Sequence, residues 1–238
     1  LRDQPAARSV TVSAPDSRLV WDLPVRATHW ALTLAVAGCW ATHYAGVEWF
    51  DWHRRLGYTV LVLVMFRIVW GFVGTRHARF AGFLRGPRTL LTYLRECGRA
   101  TVGHNPLGAL SVVALLALLL FQAATGLFAN DEIMNMGPFY GWIAPELSNR
   151  ITSLHRASSD WLLVLIVLHV AAVAFYVRVR GQPLVSAMIT GRKPATDVPA
   201  SEGIASSGVL RACVIVVALA IALTLAVRAA PGATIALY

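Results

Sequence analysis

The chain has 238 residues, of which 57% are hydrophobic and only 14% charged. A soluble domain of this size carries about 25% charged residues, so a water-soluble globular fold is excluded and an all-α integral membrane protein in a lipid bilayer is predicted. The net charge of +9 implies no nucleic-acid partner, because the basic residues gather beside apolar runs, where they report topology. Three cysteines, Cys39, Cys97 and Cys213, lie far apart and form no CxxC or CxxCH, which argues against covalent haem attachment and an iron–sulfur site.

In chain order, residues 1–22 are polar and rich in turn formers and read as a poorly ordered cytoplasmic lead. The chain opens on Leu, as numbering that begins inside a longer precursor would, and no secretory signal precedes the first apolar run. Span 1 is predicted over Val25–Ala45 and span 2 over Trp52–Val73. The stretch 74–105 then carries Arg76, Arg79, Arg85, Arg88, Arg95 and Arg99 against Glu96 alone. Its middle, Pro87–Cys97, suits a short amphipathic helix on the membrane surface. Asn105-Pro106 supplies a cap and a first-turn proline for span 3, Leu107–Phe128. A loop over 129–152 leads to span 4, Ser153–Arg178. Residues 181–208, rich in Gly, Pro, Ser and Thr, read as a cytoplasmic linker. Span 5 covers Val209–Ala229. The expected organisation is therefore 1–22 as a lead, 23–180 as a four-span bundle, 181–208 as a linker, 209–230 as a fifth span and 231–238 as a periplasmic tail.

Five spans put the ends of the chain on opposite sides. With the start inside, every inner segment is richer in arginine and lysine than the outer loops, which hold Arg54, Arg55, Arg150 and Arg156. The predicted topology is N-terminus cytoplasmic and C-terminus periplasmic, in the bacterial inner membrane.

Span 4 organises the rest. It carries His155 and His169 among Leu, Val, Ile and Ala. Fourteen helical residues turn through about 1400°, within about 40° of four whole turns, and rise about 21 Å. Both imidazoles therefore leave one face, near opposite sides of an apolar layer roughly 30 Å thick. Polar rings in hydrocarbon are costly unless something binds them. The competing reading is two core histidines bonded to backbone carbonyls. Depth pairs His29 of span 1 with His169, and His53 of span 2 with His155, and each pair can clamp one iron between facing helices. His43 stands fourteen residues after His29 and is an alternative outer ligand. A ligand from span 2 closes a four-helix box and favours His53, leaving His43 as an interfacial histidine beside Tyr44 and Trp49. His77 and His104 read as surface residues, and Met134 and Met136 as occupants of a mobile loop poorly suited to ligation.

Arg67 follows His53 by fourteen residues and suits the anionic propionates of an inner haem; snorkelling to the interface is the other reading. Arg54, Arg55 and Arg156 flank the outer histidines and can do the same there. Gly57 and Gly126 lack side chains where a flat macrocycle or another helix could approach closely.

These residues carry a resemblance. PVRATHW at the start of span 1, WHRRLGYTVLVLVMFRIVWGFVG, RHARFAGFLRGP, GHNPLG before span 3, DEIMNMGPFYGW and HRASSDWLLVLIVLHV resemble the prokaryotic cytochrome b561 family. That family includes the b-type membrane subunits of nickel–iron hydrogenases. The resemblance covers about residues 20–180 and implies two b haems held by His29, His53, His155 and His169. It also implies electron transfer between membrane quinone and a periplasmic redox protein. The RHARF-containing subgroup looks more like partners of c-type cytochromes than of hydrogenases. One branch of the family oxidises superoxide, so a superoxide:quinone oxidoreductase, or a ferric reductase using the outer haem, is the alternative function. Span 5 lies outside the four-span family core.

Overall fold

The computed structural model describes residues 16–95, 101–132 and 135–230, and, the start of span 4 apart, the long helices stand within a few residues of their predicted places. α1 (Leu23–Ala45) is capped by Asp22, whose carboxylate accepts the Val25 amide at 2.7 Å, with proline in the first turn where no donor is needed. A 3₁₀ turn at Val47–Trp49 joins it to α2 (Phe50–Val73). Gly46, at φ 119°, makes the reversal in a conformation side chains rarely adopt. Two short helices follow, α3 (Phe80–Phe83) and α4 (Pro87–Arg95). α5 (Pro106–Gly126) begins where its cap predicted, the Asn105 side chain accepting the Gly108 amide at 2.6 Å. α6 (Pro145–Arg178), α7 (Leu184–Thr190) and α8 (Val209–Arg228) complete the order.

Where five spans are predicted, four helices among the described residues are long and apolar enough to cross a membrane: α2 with its preceding turn, α5, α6 and α8. α1 is about 34 Å long, which suffices for length. Arg26, two histidines and three threonines keep it less apolar. It packs along α2 as the fifth long helix.

α2 is the hub, packed on α1, α5 and α8, while α6 leans on α5 and α7. α6 makes no comparable packing against α1 or α2, so the helices that bear the predicted histidine pairs face each other across a slot. Between its two ends the bundle is filled by Ala35, Val60, Val64, Leu116, Leu119 and Leu162. The near end is the one at which α1, α5 and α8 begin, and the far end the opposite one.

Two segments are more ordered than their composition suggests. The predicted linker folds over the near end. Its Arg192–Pro194 strand (β2) pairs antiparallel with Ser17–Leu19 (β1), Ser17 opposite Pro194. The Arg18 guanidinium donates to the carbonyls of Ala195, at 2.7 Å, and Val198. Lys193, only 6% exposed, donates to the carbonyls of Thr101 and Val102 at 3.1 and 2.8 Å. Val198 and Ala187 are buried with Trp21, Phe66 and Trp70. Asp22, buried beneath this cap, accepts from Trp70 Nε1 at 3.1 Å and from the Thr75 hydroxyl. Few apolar residues among many turn formers were enough to anchor it.

At the far end, α6 starts at Pro145, eight residues before the predicted Ser153. Pro145 sits in its first turn and Glu146 favours the helix dipole. The shortened loop is bound to the new first turns. The Asn130 side chain donates to Ser148 Oγ at 2.5 Å and Asn149 Oδ1 at 2.8 Å, and its amide donates to Thr152 Oγ1 at 3.0 Å.

Candidate functional site

α6 presents His155 and His169 to the slot, one toward each end. The His169 ring centre lies 6.5 Å from that of His29 on α1, and the His155 ring centre lies 6.5 Å from that of His53 on α2. A metal bound at about 2 Å by one nitrogen from each ring would set the centres roughly 6.3 Å apart. Among the described residues no group of three or more His, Cys, Asp or Glu could hold a metal ion. Two imidazoles alone do not complete a coordination sphere, so these pairs suit an iron that brings its other ligands with it, as haem does.

The surrounding hydrogen bonds select the nitrogen that faces the slot. His53 Nδ1 lies 2.9 Å from the Cys39 carbonyl and His155 Nδ1 lies 3.0 Å from the Gln122 carbonyl. A proton on Nδ1 donates to each carbonyl, which leaves the lone pair on Nε2; that of His155 lies 3.4 Å from the Gln122 side-chain nitrogen. Thr125 Oγ1 lies 3.2 Å from His155 Nδ1, and Ser111 Oγ lies 3.3 Å from His169 Nδ1. The Ser158 hydroxyl donates to Gln122 Oε1 and holds that side chain beside His155.

At the far end the pair borders a cavity of about 610 Å³ lined by Gly57, Gly126, Leu119 and Leu162. A Cβ at Gly57 would meet nothing within 4 Å, whereas one at Gly126 would stand 3.1 Å from His155 Cε1. Gly57 thus opens space for a flat group, and Gly126 lets the imidazole lie against α5. His43, Arg54, Arg156 and Asp160 also line this cavity. His43 is exposed, 5.0 Å from the Tyr44 ring and 6.2 Å from that of His53. Arg54 is paired with Asp51 at 2.7 Å. Arg55 lies over the Trp52 ring at 5.5 Å and is not part of the cavity lining.

At the near end Arg67 is 6% exposed and lies 5.4 Å over the Phe80 ring, with Nη1 buried and without a partner. His104 and His77, predicted at the surface, belong instead to the structure under the cap. The His104 ring centre is 4.6 Å from Trp21 and 4.4 Å from Phe83, and His77 Nε2 is 2.8 Å from the Glu202 carbonyl. Desolvation first, then the charges of Arg67 and Lys193, holds His104 down at about 3, so it is neutral at physiological pH. Met136 is 37% exposed, and Met134 lies outside the described residues.

The span ends in the polar series Gln122, Thr125 and Gly126. Spacing at i, i+3 and i+4 on a span with Ser111 as its one other polar side chain was the signal for a histidine partner. Cys39 and Ser111 gave no such signal, since one acts through its carbonyl and the other is a lone serine.

The family model for prokaryotic cytochrome b561 matches residues 20–191. Similar curated proteins are probable Ni/Fe-hydrogenase B-type cytochrome subunits. Those of Azotobacter chroococcum mcd 1, Rhizobium leguminosarum bv. viciae and Azotobacter vinelandii are 24%, 29% and 23% identical to the chain, each over 75% of it and 89% of the relative. No solved structure matches. The histidine pairs stand inside the matched segment, and the chain belongs to the prokaryotic cytochrome b561 family, a multi-pass membrane cytochrome that carries b haem and transfers electrons.

Proposed function

We propose that this cytochrome holds two b haems, one at each end of the bundle, and passes electrons between membrane quinone and a periplasmic redox partner. The observation that carries the reading is the repetition of one geometry, an imidazole pair with ring centres 6.5 Å apart, at both ends of the slot. His29 with His169, and His53 with His155, are the axial ligands in this reading. His43, exposed at the cavity mouth, is left free. Haem supplies the one-electron couple; the chain supplies ligands, orientation and surroundings.

Each residue has a physical task. The carbonyls of Cys39 and Gln122 hold His53 and His155 with Nε2 forward. Arg67 keeps a cation in dry surroundings, where it offsets the charge of haem propionates and favours the reduced iron. Arg54 and Arg156 do so at the far end, more weakly, because water screens them. Leu119, Leu162 and Val64 keep water from the path between the ends.

The near end is cytoplasmic and the far end periplasmic in this reading, following the arginine asymmetry, within the bacterial inner membrane. The partner at the far end is a hydrogenase or a c-type cytochrome, and the names of the relatives favour the former. A pyridine haemochrome assay tests the core of the proposal: two low-spin haems per chain are expected, and one haem per chain overturns it.

A further inference from the structure

Among the described residues, four buried side-chain atoms have no hydrogen-bond partner: Arg26 Nε, His29 Nδ1, Arg67 Nη1 and His104 Nδ1. All four belong to the near end: α1's first turns, the last part of α2, and the turn before α5. Buried donors without partners are rare and costly. Four of them in one place call for acceptors that the polypeptide does not provide. Other polar groups there are already committed. Asp22 takes Val25, Trp70 and Thr75, and Lys193 gives to Thr101 and Val102.

His104 is the least expected member of this set. It sits between Trp21 and Phe83, each ring close enough to fix its plane. Arg67, Lys193, His77 and His169 all act on it electrostatically, which sets it in the same near-end neighbourhood as the buried guanidinium and His169. No carboxylate acts on it in this way. A neutral imidazole with its proton on Nδ1 can donate one hydrogen bond inward, and what fits beside Arg67 is an anion with several acceptor oxygens.

We infer that His104 is a propionate-positioning residue, donating through Nδ1–H to a carboxylate of the near-end haem while Arg67 Nη1 donates to the same carboxylate pair. The inference rests on the dihaem reading and deepens it. The cap has a part in it. Val20, Trp21 and Val198 pack over this spot, and Lys193 ties β2 to the 101–102 carbonyls just before His104. The cap segment after residue 191 lies beyond the stretch matched by the family model.

The test is redox titration of both haems, read by visible spectroscopy, in wild type, His104→Leu and His104→Gln. His104→Leu should weaken the near-end haem's electron affinity about tenfold, a fall of about 59 mV for one electron, since an unsupported carboxylate charge opposes reduction. The far-end potential should not move. His104→Gln, whose amide can still donate, should recover most of the loss. If His104→Leu retains two haems per chain with an unchanged near-end potential, the inference is overturned. If wild type itself binds a single haem, the dihaem reading fails instead, and the haem count separates the two failures. Should His104→Leu not assemble, infrared redox difference spectra of wild type and His104→Gln, with the haem carboxyls isotope-labelled, give the answer. Shifted near-end carboxylate bands support the contact and identical bands refute it.

Discussion

At the far end, His53 and His155 border a cavity of about 610 Å³ with Arg54, Arg156 and the exposed His43 along its lining. At the near end, His29 and His169 stand below a folded cap, with Arg67 buried against Phe80 and His104 held between two aromatic rings. The residue type and ring separation are the same, so in the dihaem reading any difference in redox behaviour must come from what surrounds the pairs. Solvent reaches the far-end charges and weakens them, whereas the near-end charges act at low dielectric. In the dihaem reading, one fold thus holds two like cofactors at different potentials without changing a ligand.

The comparison breaks most decisively at α6, which serves both ends. His169→Ala should reduce the haem content of the protein from two per chain to one and remove the near-end spectrum alone. His155→Ala should do the same for the far end. His43→Ala should leave both spectra intact, and a lost far-end signal there would transfer the ligand role from His53. A smaller but still end-specific effect is expected from two glycines. Gly57→Phe should fill open space and exclude the far-end haem. Gly71→Ala would drive a Cβ into the Phe80 ring, displacing the ring under Arg67 at a cost of about 1–3 kcal/mol. Thermal melts with separate haem spectra would show which end fails first.

Arg67→Leu should lower the near-end potential by about tenfold in electron affinity, about 59 mV. Arg156→Leu at the solvated far end should shift its own haem by much less. Equal shifts would mean that water screens both ends alike. The pH response sharpens the same contrast. His104 titrates at about 3 in the folded protein, against an ordinary value near 6.5. Between those values the unfolded chain binds more protons than the folded one, so stability is present above about pH 6.5 and falls as acid is added. In haem-free protein, where no propionate faces His104, the near-end cap should therefore loosen between pH 6.5 and 5, seen as faster amide exchange around Trp21 and Val198, and His104→Gln should remove much of that dependence. The smallest effect concerns docking. Glu146→Gln, in the first turn of α6, should slow association with a basic partner at low ionic strength and change nothing at high salt.

Much of this was legible in the chain. The apolar runs and the Asn105-Pro106 start placed the long helices, and a fourteen-residue spacing put His155 and His169 on one face. Those are periodic or local signals. The cap was not legible, because strands of three residues have no periodicity and β1 pairs with β2 across more than 170 residues. His104 was misjudged for a related reason. It falls at the end of the arginine-rich stretch 74–105, and the rings of Trp21 and Phe83 beside it come from elsewhere in the chain. α1 shows the limit of hydropathy, since a helix that carries Arg26, His29 and His43 and packs on α2 can be less apolar than one facing lipid.

The ribbon between β1 and β2 also sets an order of events during synthesis. Ser17 is made 177 residues before its partner Pro194. At translation rates of about 5–20 residues per second, roughly 9 to 35 s separate the two. All four pairing histidines have emerged before the ribbon can zip, so a cofactor can enter the near end through an unlatched door. Once Lys193 and Val198 arrive, the entrance closes behind it, and leaving again requires the chain's two distant ends to part.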